Sequence, residues 1–369
     1  MLTDMASQVK RYCSSIVKAS TPEFHEYQAR IQACQEKIRS GESYELCLTD
    51  QTTVTMPSVK DYSVYERCDN RHPGRFGRIM WNASPVEWSM YLRLRNLNPA
   101  PFSAYVRLGS LTLLSTSPER FMSWDRSHVD SDHDGKSAVV QNCQFRPIKG
   151  TVKKSHPDGT RLSLEEATQI LGTAKERAEN LMIVDLIRHD LHGVVGAGNV
   201  NVSQLMVVEE YATVYQLVSV IEGKLFNTHT PDKTPIDVLA ASLPPGSMTG
   251  APKRRSCQLL KSLDGHHPRS VYSGVLGYMC ATGRGDFSVA IRCMYKWAAE
   301  AAPDLDAWHV GAGGAVTTLS SVAGEWDEMT LKLDSTLELF KESYLEGKRE
   351  REGEDEPVVC QPVAQAVES

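Results

Sequence analysis

The alternation between groups of short strand-like segments and longer helical segments constrains the fold of this chain most. Residues 102 to 150 form a series of short apolar segments, separated by polar turns such as Asp130 to Lys136. Helical periodicity then runs from Ser163 to His192, and strand-like segments return at 205 to 224. This alternation predicts an α+β fold, in which large, mainly antiparallel β-sheets are flanked by helices.

The remaining segments fit the same arrangement. Thr21 and Pro22 supply a cap and a first-turn proline for a helix that Gly41 ends. Residues 56 to 85 are rich in Pro, Asn, Arg and Gly and predict a loop with some helix. We predict helices at 22–40, 86–96, 235–242, 250–264 and 321–342, and strands at 44–54, 271–280, 286–297 and 308–312.

The chain is long enough for one large domain with a substantial core. It has 369 residues, of which 41% are hydrophobic. We predict an amino-terminal extension at 1–20, a functional domain at 21–342, and a charged, disordered tail at 343–369.

Charge and cysteine content exclude several classes of partner. The 40 Lys and Arg residues against 46 Asp and Glu residues leave no strongly basic face, so we expect no nucleic acid or membrane partner and favour a small molecule. No apolar segment reaches the roughly 18 residues of a membrane span, and residues 1 to 18 lack the apolar core of a signal peptide. The nine cysteines contain no C-x-x-C pair and suit reduced thiols. By elimination, we expect a cytoplasmic protein.

Lys149 is the first candidate for chemistry. It lies in the segment PIKGT at 147–151, between a proline and a glycine. A lysine buried at such a turn has a lowered pKa, and its free amine can act as a nucleophile. The alternative from these residues alone is a surface lysine in a turn.

Pairs of glutamates on helices are the second candidate. Glu176 and Glu179 are three residues apart, as are Glu325 and Glu328. Residues with this spacing share a helix face, so each pair can direct two carboxylates at one hard divalent cation. The alternative is a pair of solvated helix surfaces.

Two glycine-rich segments are the third candidate. PGSMTGAPK at 245–253 is predicted to open a helix whose free N–H groups, with Lys253, could hold an anion. GAGG at 311–314 could form a turn whose N–H groups bind a carboxylate. Purely structural glycine turns are the alternative.

The joint order of these segments closely resembles the chorismate-utilising enzymes. This family includes anthranilate synthase component I, aminodeoxychorismate synthase component I, isochorismate synthase and salicylate synthase. The matching segments are SPERF at 117–121, PIKGT at 147–151, AKERAENLMIVDLIRHD at 174–190, LPPGSMTGAPK at 243–253, YSGVLGYM at 272–279, FSVAIR at 287–292, VGAGGAV at 310–316 and GEWDEMTLK at 324–332.

The resemblance implies a branch of the family and two catalytic residues. In the aminodeoxychorismate synthase branch the motif reads PIKGT, whereas other members usually have alanine in place of the lysine. Lys149 would then attack C2 of chorismate, the C4 hydroxyl would leave, and ammonia would enter at C4. Glu119 of SPERF matches the general acid and base of the family. Its alternative role is a structural acid paired with Arg120.

The resemblance also implies a metal, a substrate site and a partner. Mg²⁺ would bind Glu179 and Glu328, with Glu176 and Glu325 lining the same site. The ammonia would come from a glutaminase subunit or from a fused domain upstream. The residues expected to bind chorismate are Thr151, Thr249, Tyr278, Arg292, Gly311, Gly313, Gly314 and Lys332.

Two features depart from the family pattern, namely Gln216 and the length of the amino-terminal part, and Glu45 bears on the branch of the family. Gln216 stands where many relatives have a histidine that orients the substrate, and an amide cannot supply a proton at neutral pH. Glu45 aligns with the lysine that activates water in isochorismate and salicylate synthases, which argues against addition of water. A typical family domain also has a long stretch before residue 22, so the amino-terminal part of the fold is expected to be missing.

Two alternative functions remain open. Anthranilate synthase component I is the enzymatic alternative, which Lys149 disfavours. A truncated, non-catalytic member of the family is the other, which the presence of Glu119, Lys149, Glu179 and Glu328 together opposes.

Overall fold

Two antiparallel β-sheets flanked by helices make up the computed structural model of the chain. The structure describes residues 12–58, 85–130, 137–156, 159–211, 214–226, 232–265, 268–298, 300 and 304–340. The predicted α+β fold is confirmed. The predicted loop at 56–85 and the tail at 343–369 lie almost entirely outside the described residues, and the prediction that an amino-terminal part is missing stays a prediction.

The described residues form fourteen strands and seven α-helices. The strands are β1 Lys18–Ser20, β2 Glu45–Pro57, β3 Phe102–Leu108, β4 Leu111–Ser117, β5 Arg120–Asp130, β6 Ser137–Phe145, β7 Ile148–Lys153, β8 Val200–Glu210, β9 Val214–Phe226, β10 Gly250–Ala251, β11 Val275–Met279, β12 Gly285–Val289, β13 Cys293–Trp297 and β14 Leu305–Val316. The helices are α1 Phe24–Arg39, α2 Pro85–Leu97, α3 Leu164–Leu171, α4 Ala174–Val195, α5 Pro235–Ser242, α6 Lys253–Leu263 and α7 Val322–Leu337.

Each sheet contains seven strands. The first sheet has the order β1-β2-β14-β13-β4-β3, with β10 paired to β2, and the second has the order β11-β12-β5-β6-β9-β7, with β8 paired to β9. Strand β1 joins the first sheet through Lys18 to Ser20, which lie within the predicted extension at 1–20. The sheet therefore begins before residue 21, where we placed the start of the functional domain.

Apolar residues of both sheets pack together. Phe121, Phe145 and Ile221 of the second sheet share a buried cluster with Leu113 and Tyr295 of the first. The other face of the first sheet packs against α1, α2, α6 and α7, and α1 contributes the helically spaced residues Tyr27, Ile31, Cys34 and Ile38. Charged side chains between the two sheets are therefore shielded from solvent.

The helix expected over 163–192 is in fact two helices. Helix α3 ends at Leu171 and is followed by Gly172, and Thr173 adopts an extended conformation and caps α4 by accepting a hydrogen bond from the backbone N–H of Glu176. A capping residue with a free hydroxyl satisfies an N–H group that a continuous helix would have bonded internally. This break fixes the start of α4, and with it the direction of Glu176 and Glu179. None of the described helices is long and apolar enough to span a membrane.

Candidate functional site

Lys149 lies on β7 and contacts two carboxylates. Its Nζ donates a hydrogen bond to Glu45 Oε1 at 2.8 Å and lies 3.6 Å from Glu179 Oε2. Glu45 belongs to β2 of the first sheet and Glu179 to α4, so three elements converge on this amine. All three residues are buried, and the surface interpretation of Lys149 is wrong.

The charge of Lys149 differs from the expectation. Burial alone would lower the pKa of this amine, but the carboxylates of Glu45 and Glu179 outweigh burial and raise the pKa well above its ordinary value. The prediction of a lowered pKa was wrong because the segment PIKGT does not reveal which carboxylates lie opposite it. Lys149 rests as an ammonium ion and must lose a proton before it can act as a nucleophile.

Glu119 is a second buried group at the site. It lies between β4 and β5, and burial raises the pKa of its carboxyl to about 7, although a hydrogen bond with Ser247 and the charges of Lys149 and Lys332 act in the opposite direction. Arg120 instead pairs with Asp286, at 3.0 and 2.8 Å. Glu119 is therefore not held by its neighbour, and near neutral pH it can both donate and accept a proton.

The four glutamates predicted to bind metal come together from the first two turns of α4 and α7. Lys175 connects the two helices, because its Nζ lies 2.9 Å from Glu325 Oε1 and 3.8 Å from Glu179 Oε1. Glu176 lies against β7, where a Cβ atom on Gly150 would come within 2.8 Å of its Oε2. Glu328 accepts a hydrogen bond from Lys332 at 2.6 Å.

Two buried oxygens of this group of carboxylates accept no hydrogen bond within the described part of the chain. Glu179 Oε1 and Glu325 Oε2 have no hydrogen-bond partner among the described residues. Burial raises the pKa of Glu179 to about 7 and also raises the pKa of Glu176. Glu328 behaves differently, since its partner Lys332 overcomes the effect of burial and lowers the pKa of that carboxyl.

The donor chemistry fits a hard divalent cation, which prefers carboxylate oxygens. Unpaired buried carboxylate oxygens are costly, and a cation would satisfy them. Over the described part of the chain, however, no three acidic, histidine or cysteine side chains are grouped closely enough to enclose an ion. Lys175 lies between Glu179 and Glu325, and its ammonium group supplies the positive charge there.

Gly311, Gly313 and Gly314 lie in a strand, not in the turn that we predicted. They belong to β14 and pair with β2 in continuous register, while β14 pairs with β13 only through His309 and Val310. A Cβ atom on Gly314 would lie 2.8 Å from Glu325 Oε2, and Cβ atoms on Gly311 and Gly313 would collide with neighbouring groups. The glycines therefore let other residues approach the strand closely.

Arg292 reaches the site in an uncommon backbone conformation. Its φ angle of 49° lies in the left-handed region, and its carbonyl accepts hydrogen bonds from the backbone N–H and the hydroxyl of Thr116, each at 3.0 Å. One terminal nitrogen of its guanidinium group donates to Ser335 Oγ at 3.0 Å. Burial lowers the pKa of Arg292.

The tyrosine beside Arg292 is Tyr272, not Tyr278. Tyr272 is buried, interacts electrostatically with Arg292 and lies over Gly311. Tyr278 lies on β11, is 65% exposed, and lines a separate cavity of about 520 Å³ with Asp286 and Trp124. The segment YSGVLGYM contains both tyrosines, and only their burial distinguishes them.

The two threonines expected to bind substrate differ in exposure. Thr249 is buried, and its hydroxyl donates to the carbonyls of Pro245 and Gly246 at 3.1 and 3.3 Å. Thr151 is exposed on β7 and accepts a hydrogen bond from Gln216 Nε2 at 3.3 Å. Gln216, which stands where the resemblance led us to expect a histidine, thus contacts Thr151.

The anion site expected around Lys253 is not supported. Lys253 Nζ pairs with Asp190 Oδ2 at 2.6 Å and donates to the carbonyl of Ser242 at 2.7 Å. The carboxylate of Asp190, on α4, therefore already balances the positive charge of Lys253. Lys332 donates a hydrogen bond to Gly313 O at 3.0 Å, and its contact with chorismate stays a prediction.

Three residues at the site were not predicted as site residues: Glu45, Lys175 and Tyr272. Lys175 precedes the first predicted metal ligand by one residue, which is the signal that could have identified it. Lys175 and Glu179 also line a largely apolar cavity of about 280 Å³ beside Ala178, Met182 and Leu319.

Comparison with known proteins gives the following relationships. A model of the chorismate binding enzyme family matches residues 14–84 and 78–338. The chain is 42% identical over 324 residues to a putative aminodeoxychorismate synthase from Schizosaccharomyces pombe, and 41% identical over 341 residues to aminodeoxychorismate synthase from Saccharomyces cerevisiae. These matches cover 87% and 86% of the chain but only 37% of each relative. Aminodeoxychorismate synthase component 1 from Escherichia coli is 32% identical, over 85% of the chain and 57% of that protein.

Solved structures share the fold. Anthranilate synthase component I from Streptococcus pneumoniae TIGR4 matches with a TM-score of 0.61 and 25% identity, over 88% of the chain and 60% of that structure. The menaquinone-specific isochorismate synthase MenF from Escherichia coli matches with a TM-score of 0.59 and 17% identity, over 88% of the chain and 63% of that structure.

Proposed function

Because this chain belongs to the family of chorismate binding enzymes, we propose that it converts chorismate and ammonia to 4-amino-4-deoxychorismate. The observation that carries the proposal is the buried amine of Lys149, which lies 2.8 Å from Glu45 and interacts with the charge of Glu119. A buried amine between acids suits covalent catalysis better than a structural role, because burying an ion pair costs more than a hydrophobic pair would. The names of the similar proteins support the same reaction.

The chain's own residues account for each proton in this reaction. Lys149 loses its proton to a neighbouring carboxylate, and Glu45 and Glu179 are within reach at 2.8 and 3.6 Å. Its Nζ then forms a bond to C2 of chorismate while the C4 hydroxyl leaves as water, with the proton supplied by Glu119. Ammonia next bonds to C4, the bond from C2 to Lys149 breaks, and Glu119 takes up a proton from the incoming nitrogen.

A divalent cation is part of the proposal. Glu176, Glu179, Glu325 and Glu328 would hold Mg²⁺, and the unpaired buried oxygens of Glu179 and Glu325 support this assignment. When bound, Mg²⁺ neutralises the carboxylate on the ring of chorismate. Lys175 would have to move from between the two helices, and the charge of Mg²⁺ would replace that of its ammonium group beside Glu179 and Glu325.

Arg292 and Lys332 would bind the carboxylates of chorismate. Arg292 is oriented by Thr116 and Ser335, and its remaining guanidinium N–H groups suit a planar carboxylate.

We also propose that ammonia reaches the site from a glutaminase, since relatives named component 1 imply a further component. The seven cysteines within the described residues are all free thiols, which supports a cytoplasmic location.

The product made from chorismate tests this function. Purified protein, produced with the full coding sequence around it where the gene extends further, is incubated with chorismate, Mg²⁺ and ammonium. We expect 4-amino-4-deoxychorismate as the main product, identified by liquid chromatography and mass spectrometry. Anthranilate as the main product would instead support the anthranilate synthase alternative, and no turnover of chorismate would support a non-catalytic role.

The requirement for Mg²⁺ tests the assigned ligands. Glu179→Gln and Glu328→Gln each remove one charged oxygen from the proposed site, so each should raise the Mg²⁺ concentration for half-maximal rate by at least about tenfold. Asp185→Asn is the matched control, because Asp185 lies on α4 as well but is exposed. A Mg²⁺ dependence that is unaltered in both glutamate variants would rule out the metal assignment.

A further inference from the structure

Glu45 is buried more completely than the other charged groups that contact Lys149. It has no exposed surface, one of its oxygens accepts the hydrogen bond from Lys149, and the other, Oε2, has no hydrogen-bond partner among the described residues. Burying a second carboxylate is costly when Glu179 already lies 3.6 Å from the same amine. Charge balance of Lys149 alone therefore does not explain Glu45.

The two distances to the amine suggest what Glu45 does. At 2.8 Å Glu45 makes a hydrogen bond, whereas at 3.6 Å Glu179 is only within ion-pairing range. A shift of about 1 Å would bring the flexible lysine side chain into hydrogen-bond distance of Glu179. Since Glu45 is fixed on β2, where it pairs with Ala251 of β10, it holds the amine on the side of the first sheet.

We propose that Glu45 is a positioning residue, which holds the Lys149 amine out of hydrogen-bond distance of Glu179 so that a divalent cation can bind Glu179. The inference rests on the proposed function, because it takes Glu179 as a ligand of Mg²⁺. The carboxylate of Glu45 thereby keeps the Lys149 amine, the proposed nucleophile, apart from Glu179, the proposed metal ligand. Without it, the nucleophile would compete with the cation for the same carboxylate.

Binding of Mg²⁺ in the absence of chorismate tests the proposal, measured by titration calorimetry on the full chain. Glu45→Gln removes the charge that holds Lys149, so Mg²⁺ should bind about tenfold more weakly than to the wild type. Glu45→Leu combined with Lys149→Leu removes the competing amine as well, and should restore wild-type or tighter binding. A purely structural role of Glu45 does not predict this restoration.

A matched control separates this effect from the general loss of a buried acid. Asp306 pairs with Lys296 at 2.7 Å in the same sheet, away from the site, so Asp306→Asn should leave Mg²⁺ affinity unchanged. Glu45→Gln with wild-type affinity would overturn the proposal, and so would a double variant that binds as weakly as Glu45→Gln. Absence of Mg²⁺ binding by the wild type would also overturn it. A wild type that binds Mg²⁺ but makes no aminodeoxychorismate would overturn the proposed function alone.

Discussion

Lys149→Ala is expected to lower the rate of 4-amino-4-deoxychorismate formation by on the order of 10³-fold or more, because it removes the group that attacks C2. Glu119, Arg292 and the four glutamates stay in place, so chorismate should still bind. Ammonia can then reach the ring only directly, and part of the remaining product is expected to carry nitrogen at C2. The measurement is intact-protein mass spectrometry of enzyme treated with chorismate without ammonia, beside product analysis.

The companion variants show whether the effect comes from lost chemistry or lost packing. Lys149→Met keeps the volume of the side chain and should fail to form the covalent adduct as completely as Lys149→Ala. Lys153→Ala alters an exposed lysine of the same strand and should form the adduct at the wild-type rate. A wild-type rate of amination in Lys149→Ala would rule out the nucleophile role, even though the family membership would stand.

Glu119→Gln is expected to lower the rate by about 10²- to 10⁴-fold, the range that general acid catalysis supplies. The glutamine cannot protonate the leaving hydroxyl, whereas the buried carboxyl of Glu119 can, since its pKa is about 7. Because that pKa is raised, the proton-donating form is present below pH 7 and is lost as the pH rises above 7. The measurement is the rate of adduct formation between pH 6 and pH 9.

Comparison of the wild type with Glu119→Gln separates the titration of Glu119 from that of Lys149. Both proteins share the lysine, so the ratio of the wild-type rate to the Glu119→Gln rate reports on Glu119 alone. We expect the ratio to fall as the pH rises above 7. A ratio that stays constant over this range would contradict proton donation by Glu119. Asp286→Asn removes an acid that pairs with Arg120 and should leave the pH dependence of the ratio unaltered.

Periodicity and turn chemistry were sufficient for most of the fold. The helix predicted at 22–40 is observed at Phe24–Arg39, and the helix predicted at 235–242 is observed at Pro235–Ser242. Both have local signals that no distant contact overrides, namely prolines near the start and a regular apolar face. The single helix predicted over 163–192 was wrong because Thr173, an ordinary helix residue by its periodicity, acts as a cap.

The site residues were predictable where a motif contains a single residue of the required type. Lys149 lies 3.6 Å from Glu179, and Lys175 contacts both Glu179 and Glu325, so residues from the separate motifs do lie near one another, while their roles in metal and substrate binding stay predictions. The role of Tyr278 stays a prediction, but the motif offers two tyrosines, and Tyr272 is the one that is buried and interacts with Arg292. The charge of Lys149 was misjudged. The pKa of a buried amine depends on groups brought near by the fold, and Glu45 lies 104 residues away along the chain.

The glycines of β14 have a consequence for how this protein can change over time. At Gly311, Gly313 and Gly314, β14 presents only backbone atoms to its surroundings. Backbone amides and carbonyls are the same for every amino acid except proline. A substitution at these glycines would place a Cβ atom within 3 Å of a neighbouring atom. It could therefore block the site, but it could not alter selectivity by exchanging one functional group for another. We therefore expect a change in selectivity to arise from substitutions at the charged side chains of the site. At the three glycines themselves, we expect almost no substitution to be tolerated.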